Sequence, residues 1–273
     1  MGAPPQPAKC FVPACNRHYL GTSIHVGDAL TLGVVRFQPK SATQWKVLSR
    51  LQQAIDTQSL DRDTSGKLRG DLNWMWSMCA GHIGRIAGPL LSAKQTSDSP
   101  HLDRTQLFTL QLLMDVVRHA PPRDIVVAGP LQPVVKVYSD ASFENGVLRL
   151  GWMIFHPDHH PCGGTCVVPQ ATLDSWCNRK QQIYPGEALA ALVVPLIHPS
   201  LFVTADVLWF IDNEAAVASL IRANSLQPDV HLICLFAHAW IFKQGARIWY
   251  EWIDSASNPS DGLSRARLED DWT

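Results

Sequence analysis

Four carboxylates in this chain, Asp140, Glu187, Asp212 and Asp261, are not explained by the residues around them. Val134-Val135-Lys136-Val137-Tyr138-Ser139 runs into Asp140, and Leu208-Trp209-Phe210-Ile211 runs into Asp212. Glu187 follows Tyr184-Pro185-Gly186, and Asp261 follows Asn258-Pro259-Ser260. The pattern places Asp140 and Asp212 at strand ends, Glu187 in the first turn of a helix and Asp261 at the start of the last helix. Strand ends and helix starts can face one rim of a mixed sheet. Acids converging there from separate segments can hold two divalent cations, Mg2+ by preference and Mn2+ in its place. Two such ions, about 3.5–4 Å apart, supply the in-line water and charge relief that phosphodiester cleavage needs.

Each acid also has a purely structural alternative. Asp140 suits a turn before Ala141-Ser142, and Glu187 suits a helix N-terminus. Asp212 suits an N-cap, and Asp261 suits a cap or first turn. All four together, in this order of elements, favour the metal reading. Ser142, Asn213 and Arg265 lie beside these acids as candidate substrate contacts, and Arg267 is a further group able to meet phosphate. Asp254 and Glu214 read as solvated loop and helix surface. His156, His159, His160, Cys162, Cys166 and Cys177 crowd one region, and Cys10, Cys15 and His18 another. Neither spacing fits a usual structural zinc pattern.

The elements that must position the acids follow from periodicity. Tyr19–Ile24 and Ala29–Phe37 read as short strands, with Gly27-Asp28 between them. Ser41 and Gln44 form a capping-box pattern, and Trp45, Leu48, Leu51 and Ile55 make a helical stripe. A second helix starting near Asp63 carries Leu68, Leu72, Met75 and Cys79. A shorter one spans Ile83–Leu91, interrupted at Pro89. A third runs from Asp103 to His119 with Leu107, Leu110, Leu113, Met114 and Val117 buried, and Pro121-Pro122 stops it. From Val134 the pattern changes to strands at Val134–Ser139, Val147–Phe155 and Gly164–Val168. Then come a helix at Pro185–Val194, a buried strand at Val207–Ile211, helices at Asn213–Ala223 and Asp229–Lys243, a strand at Arg247–Ile253 and a helix at Pro259–Leu268. The fold class is α/β, a mixed five-stranded sheet with helices, preceded by a smaller all-helical region.

The 273 residues suit one large or two small domains, and 46% hydrophobic with 17% charged residues suits a packed core. Residues 1–130 carry 14 Lys+Arg against 9 Asp+Glu, and residues 131–273 carry 9 against 15. A basic part beside an acidic one suits a nucleic-acid partner. No signal peptide or apolar run long enough for a membrane span is apparent, so no membrane partner and an intracellular setting are expected, with the compartment unassigned. Seven cysteines without a secretory signal are expected to be reduced.

Tyr138-Ser139-Asp140-Ala141-Ser142 followed by Leu150-Gly151-Trp152 resembles the ribonuclease H-like domain of retroelement reverse transcriptases. So do Glu187-Ala188-Leu189-Ala190, Ile211-Asp212-Asn213 and Asn258-Pro259-Ser260-Asp261-Gly262-Leu263-Ser264-Arg265. The resemblance spans about 130 residues, a usual domain size. Leu60–Arg85 is similar to the thumb or connection region of these polymerases, and Tyr19-Leu20-Gly21 to the end of the palm. The resemblance divides the chain into a palm-end remnant (1–40), a helical thumb- or connection-like region (41–120), a linker (121–133) and a ribonuclease H-like domain (134–273). It implies that Asp140, Glu187, Asp212 and Asp261 bind metal and that the substrate is the RNA strand of an RNA–DNA hybrid.

Three features depart from the family. No paired-aspartate polymerase motif is present, so the polymerase portion is expected upstream of Met1 and as a possible partner. The loop Asp254-Ser255-Ala256-Ser257 lacks the His often found before the last Asp, and Ser260 replaces a usual Ala. A second reading is a retroelement-derived nucleic-acid-binding module or relic that cuts nothing. The four acids argue for the enzyme, and the missing polymerase motif argues for the relic.

Overall fold

The computed structural model describes residues 15–19, 22–76, 85, 87–119, 122–127 and 134–266. The chain forms two compact units, residues 1–81 with 90–130 and residues 82–89 with 131–273.

In the first unit β1 (Asn16–Tyr19), β2 (Thr22–His25), β3 (Val34–Pro39) and β4 (Arg123–Val126) form an antiparallel sheet in that order. The expected linker therefore contains a strand: Val34 pairs with Val126, and Arg36 makes a two-bond contact with Asp124. Ala29 does not open a strand. It lies in the helical turn α1 (Asp28–Thr31), and Gly33, with φ at +67°, turns the chain into β3. Strands β1 to β3 fall in the stretch where the sequence pattern predicts strands, and helices follow them before the second sheet.

Helices α2 (Ser41–Asp56), α3 (Arg62–Met75), α4 (Gly88–Thr96) and α5 (Arg104–Arg118) supply the apolar interior of this unit. Asp103 and Gln106 close a capping box at the start of α5. The box expected at Ser41 does not form. Lys40 is the N-cap, and Gln44 donates to the Val117 carbonyl at 2.7 Å. The buried stripe of α2 is Val47, Leu51 and Ala54, while Trp45 is 72% exposed. Cys79, and Ile83 at the start of the short helix expected over Ile83–Leu91, lie outside the described residues.

The second unit is built on β5 (Val134–Glu144), β6 (Val147–Phe155), β7 (Cys162–Val167), β8 (Asp206–Ile211) and β9 (Arg247–Trp252). The strand order is β7-β6-β5-β8-β9, antiparallel from β5 to β7 and parallel from β5 to β9. This is the mixed five-stranded sheet that the sequence pattern predicts. Asn145 and Gly146, both with positive φ, turn β5 tightly into β6. The helices are α6 (Gln170–Asp174), α7 (Ile183–Ile197), α8 (Glu214–Arg222), α9 (Pro228–Gln244) and the short α10 (Asp261–Ser264). Val135, Val137, Trp209 and Ile211 alternate inward and meet Ala188, Ala191 and Val194 of α7. Full burial of one large apolar side chain such as Trp209 contributes about 2–3 kcal/mol.

Candidate metal centre

Asp140 belongs to β5 itself. The turn expected at this residue lies further on, at Asn145-Gly146, so Asp140 is no turn residue. The β5–β8 pairing sets Ser139 opposite Ile211 and thereby brings Asp212 level with Asp140. Asp212 does not cap α8. Asn213 does, accepting from the Ala216 amide at 3.1 Å. Helix α7 begins at Ile183, so Glu187 lies beyond the first turn that sequence assigns to it and does not complement unpaired helix amides. Asp261 is the first residue of α10 behind the N-cap Ser260, so a first-turn role remains open to it.

Ligand oxygens of Asp140, Glu187 and Asp212 lie within 4.8 Å of one another. Among the described residues this is the grouping of acidic, histidine and cysteine side chains able to hold a metal ion. Asp261 is not part of it. Its Oδ1 accepts from Arg265 Nη2 at 2.7 Å and Nε at 3.1 Å. It is still near enough for its charge to act on Asp140. Arg265, expected as a substrate contact, is paired with this acid. Ser142, expected likewise, donates its hydroxyl to the Ser264 carbonyl at 2.6 Å. Arg267 lies outside the described residues.

The centre is hostile to uncompensated negative charge. Burial pushes the Asp140 carboxyl up to about 6, helped by the charges of Asp212 and Asp261 and opposed by a hydrogen bond from Ser264. Burial, then the Asp140 and Asp212 charges, push Glu187 well above the usual carboxylate range. Glu187 is 1% exposed, and its Oε2 is buried without a hydrogen-bond partner. A buried, unpartnered oxygen beside two further carboxylates is what a cation would satisfy. An all-oxygen donor set suits a hard ion such as Mg2+ or Mn2+ rather than zinc.

Sequence reasoning missed the residues that hold this arrangement. Ser264 Oγ contacts Asp140 Oδ2 and lies 2.9 Å from the Asp261 carbonyl. Ser255 donates to Asp212 Oδ2 at 2.6 Å, and the Ala141 amide donates to Glu187 Oε1 at 3.0 Å. Buried Asn258 donates to the Ser139 carbonyl at 3.1 Å and accepts from the Ser260 hydroxyl at 2.7 Å, which pins the loop before α10 to β5. The nearest signal in the sequence was the run from Asn258 to Arg265, where Asp261 and Arg265 had an evident chemical use and Asn258, Ser260 and Ser264 did not.

No protein-family model and no curated protein matches the chain. Solved structures do. Ribonuclease H1 of Halobacterium salinarum is 20% identical, over 50% of this chain and 97% of that one, with a TM-score of 0.38. The N-terminal ribonuclease H domain of Rv2228c from Mycobacterium tuberculosis is 20% identical, over 50% of this chain and 94% of that one, with a TM-score of 0.36. A foamy viral protease-reverse transcriptase, solved with double-stranded DNA, matches 89% of this chain and 45% of that one at 12% identity and a TM-score of 0.31.

Proposed function

We propose that this chain hydrolyses the RNA strand of an RNA–DNA hybrid as part of a retroelement reverse transcriptase. Asp140, Glu187 and Asp212 would hold Mg2+, with Asp261 joining them when a second ion binds. The observation that carries this reading is the unpartnered, buried Glu187 Oε2 inside a cluster of three carboxylates. A buried acid with one oxygen unpartnered and no counter-ion is costly, so its place at the sheet rim calls for a cation. Bound there, Mg2+ supplies a Lewis acid and lowers the pKa of its water.

The chain's own residues fix the geometry. Asp140 and Asp212 are set by adjacent parallel strands and Glu187 by a packed helix, so the three acids are held on rigid elements. Asn213 uses its carbonyl oxygen as a cap and keeps its amide nitrogen for a substrate contact. Arg265 is able to exchange Asp261 for a substrate phosphate. The hybrid as substrate rests on the likeness of the four acidic motifs to ribonuclease H-like sequences.

The test is cleavage of a labelled RNA–DNA hybrid with Mg2+ by the full chain and by Asp212→Asn. The proposal expects cutting by the first and a loss of at least a hundredfold in the second, since carboxylate and amide differ in charge at the ion. If the folded wild type cuts nothing, the enzyme reading fails. Hybrid binding without cutting would then identify a silent binding module.

A further inference from the structure

The four acids share one feature: a donor holds one oxygen of each. Ser264 holds Asp140 Oδ2, the Ala141 amide holds Glu187 Oε1, Ser255 holds Asp212 Oδ2 and Arg265 holds Asp261 Oδ1. The second oxygen of Glu187 is buried with no donor from outside the cluster, and within it Glu187 and Asp140 face each other closely enough to interact directly. The donors come from three places: the end of α10 with the residue after it, the backbone of β5 and the turn Ser255–Ser257. Their common effect is to leave each carboxylate one oxygen for an ion.

We infer that Ser255 and Ser264 are positioning residues that set the cation preference of this centre, holding Asp212 and Asp140 to single-oxygen ligation and so favouring Mg2+ over Ca2+. This rests on the metal reading above and goes beyond it. Mg2+ takes six ligands at about 2.0–2.1 Å in octahedral geometry, which single oxygens and waters satisfy. Ca2+ takes about six to eight ligands at 2.3–2.6 Å and readily accepts both oxygens of one carboxylate. A carboxylate whose second oxygen is tied to a serine hydroxyl cannot swing both oxygens onto one ion without breaking that bond. Charge-assisted bonds of this kind are also the stronger ones. Removing the hydroxyl frees the second oxygen, loosens the site and admits the larger ion.

The two serines differ in a useful way. Ser264 is fully buried and also sits over β6, while Ser255 is exposed and touches Asp212 from the solvent side. Ser255→Ala therefore carries the test, and Ser264→Ala is added once its circular dichroism matches wild type. Metal-free full chain, with each variant, is titrated calorimetrically with MgCl2 and separately with CaCl2. For Ser255→Ala the expected result is a roughly tenfold loss of Mg2+ affinity, in the range for partners that orient metal ligands, with Ca2+ affinity kept or raised. The ratio of the two dissociation constants then moves roughly tenfold toward Ca2+. Parallel losses for both ions, or an unchanged ratio, overturn the inference and leave the metal reading standing. Wild-type protein that binds neither ion overturns both.

Discussion

Asp140 shows how the centre trades stability for binding. Without a cation its folded-state pKa is about 6 against a usual value of 3.8, raised mainly by burial. The folded form therefore keeps a proton that the unfolded chain releases. This contribution is present below the unfolded value and is lost as pH rises through about 6. Above that pH the buried charge opposes folding by roughly 2–3 kcal/mol. Asp140→Asn removes the charge and keeps the shape. In EDTA at pH 8 the variant is expected to melt several degrees above wild type, with the gap closing toward pH 4.5, while Mg2+ raises the melting temperature of wild type alone. A variant equal to or less stable than wild type at pH 8 would contradict this account. The four acids were legible in sequence because nothing apolar explained them. Ser255 and Ser264 were not, because a hydroxyl is an ordinary surface group until the fold sets it on a carboxylate. Ser264 and Asp140 are 124 positions apart.

Among the described elements, α10 is the shortest α-helix of the second unit, and its backbone sits directly on β6. A Cβ on Gly151 of β6 would lie 2.3 Å from the Ser264 amide nitrogen, 2.7 Å from the Leu263 carbonyl carbon and 2.8 Å from the Ser260 carbonyl oxygen. All three are backbone atoms with no rotamer to move. Gly151→Ala must lift α10, and with it Ser264 and Asp261. The expected cost is about 1–3 kcal/mol in a urea melt, the range for overpacking, together with a larger fall in hybrid cleavage than the stability loss explains. Wild-type stability and cleavage in Gly151→Ala would show that α10 is free to move. The five strands and the longer helices of this unit follow the order read from sequence, because β-branched runs and 3.6-residue stripes differ in period, but the short α6 between β7 and α7 was not foreseen. The sequence misjudged α2, since Val47, Leu51 and Ala54 repeat at helical spacing just as Trp45, Leu48, Leu51 and Ile55 do. Periodicity alone cannot say which of two overlapping stripes a neighbouring helix will cover. It missed β4 because Arg123-Asp124-Ile125-Val126 sits among prolines, and only pairing with β3 reveals the strand.

Across the whole molecule, the chain passes from the first compact unit to the second near residue 130, where charge and periodicity both change, with residues 82–89 also grouped in the second unit. The described residues contain no helix long and apolar enough to cross a membrane. Within the second unit, Asp140 and Asp212 meet only through parallel pairing of strands more than sixty residues apart, with β6, β7 and α7 between them in the chain. Parallel pairing of this kind requires a long loop to close before any contact rewards it. The acids are thus scattered in the early stages of folding and present no preformed ligand set. Divalent cations would have nothing to nucleate around, and would act only once β8 has docked. Stopped-flow refolding rates should be unchanged by Mg2+, while unfolding slows in proportion to the binding energy. Acceleration of refolding by Mg2+ would mean that the acids gather before the sheet does. An ion bound by these acids would thus be a lock on the finished sheet, and the barrier it would raise is the one to escape.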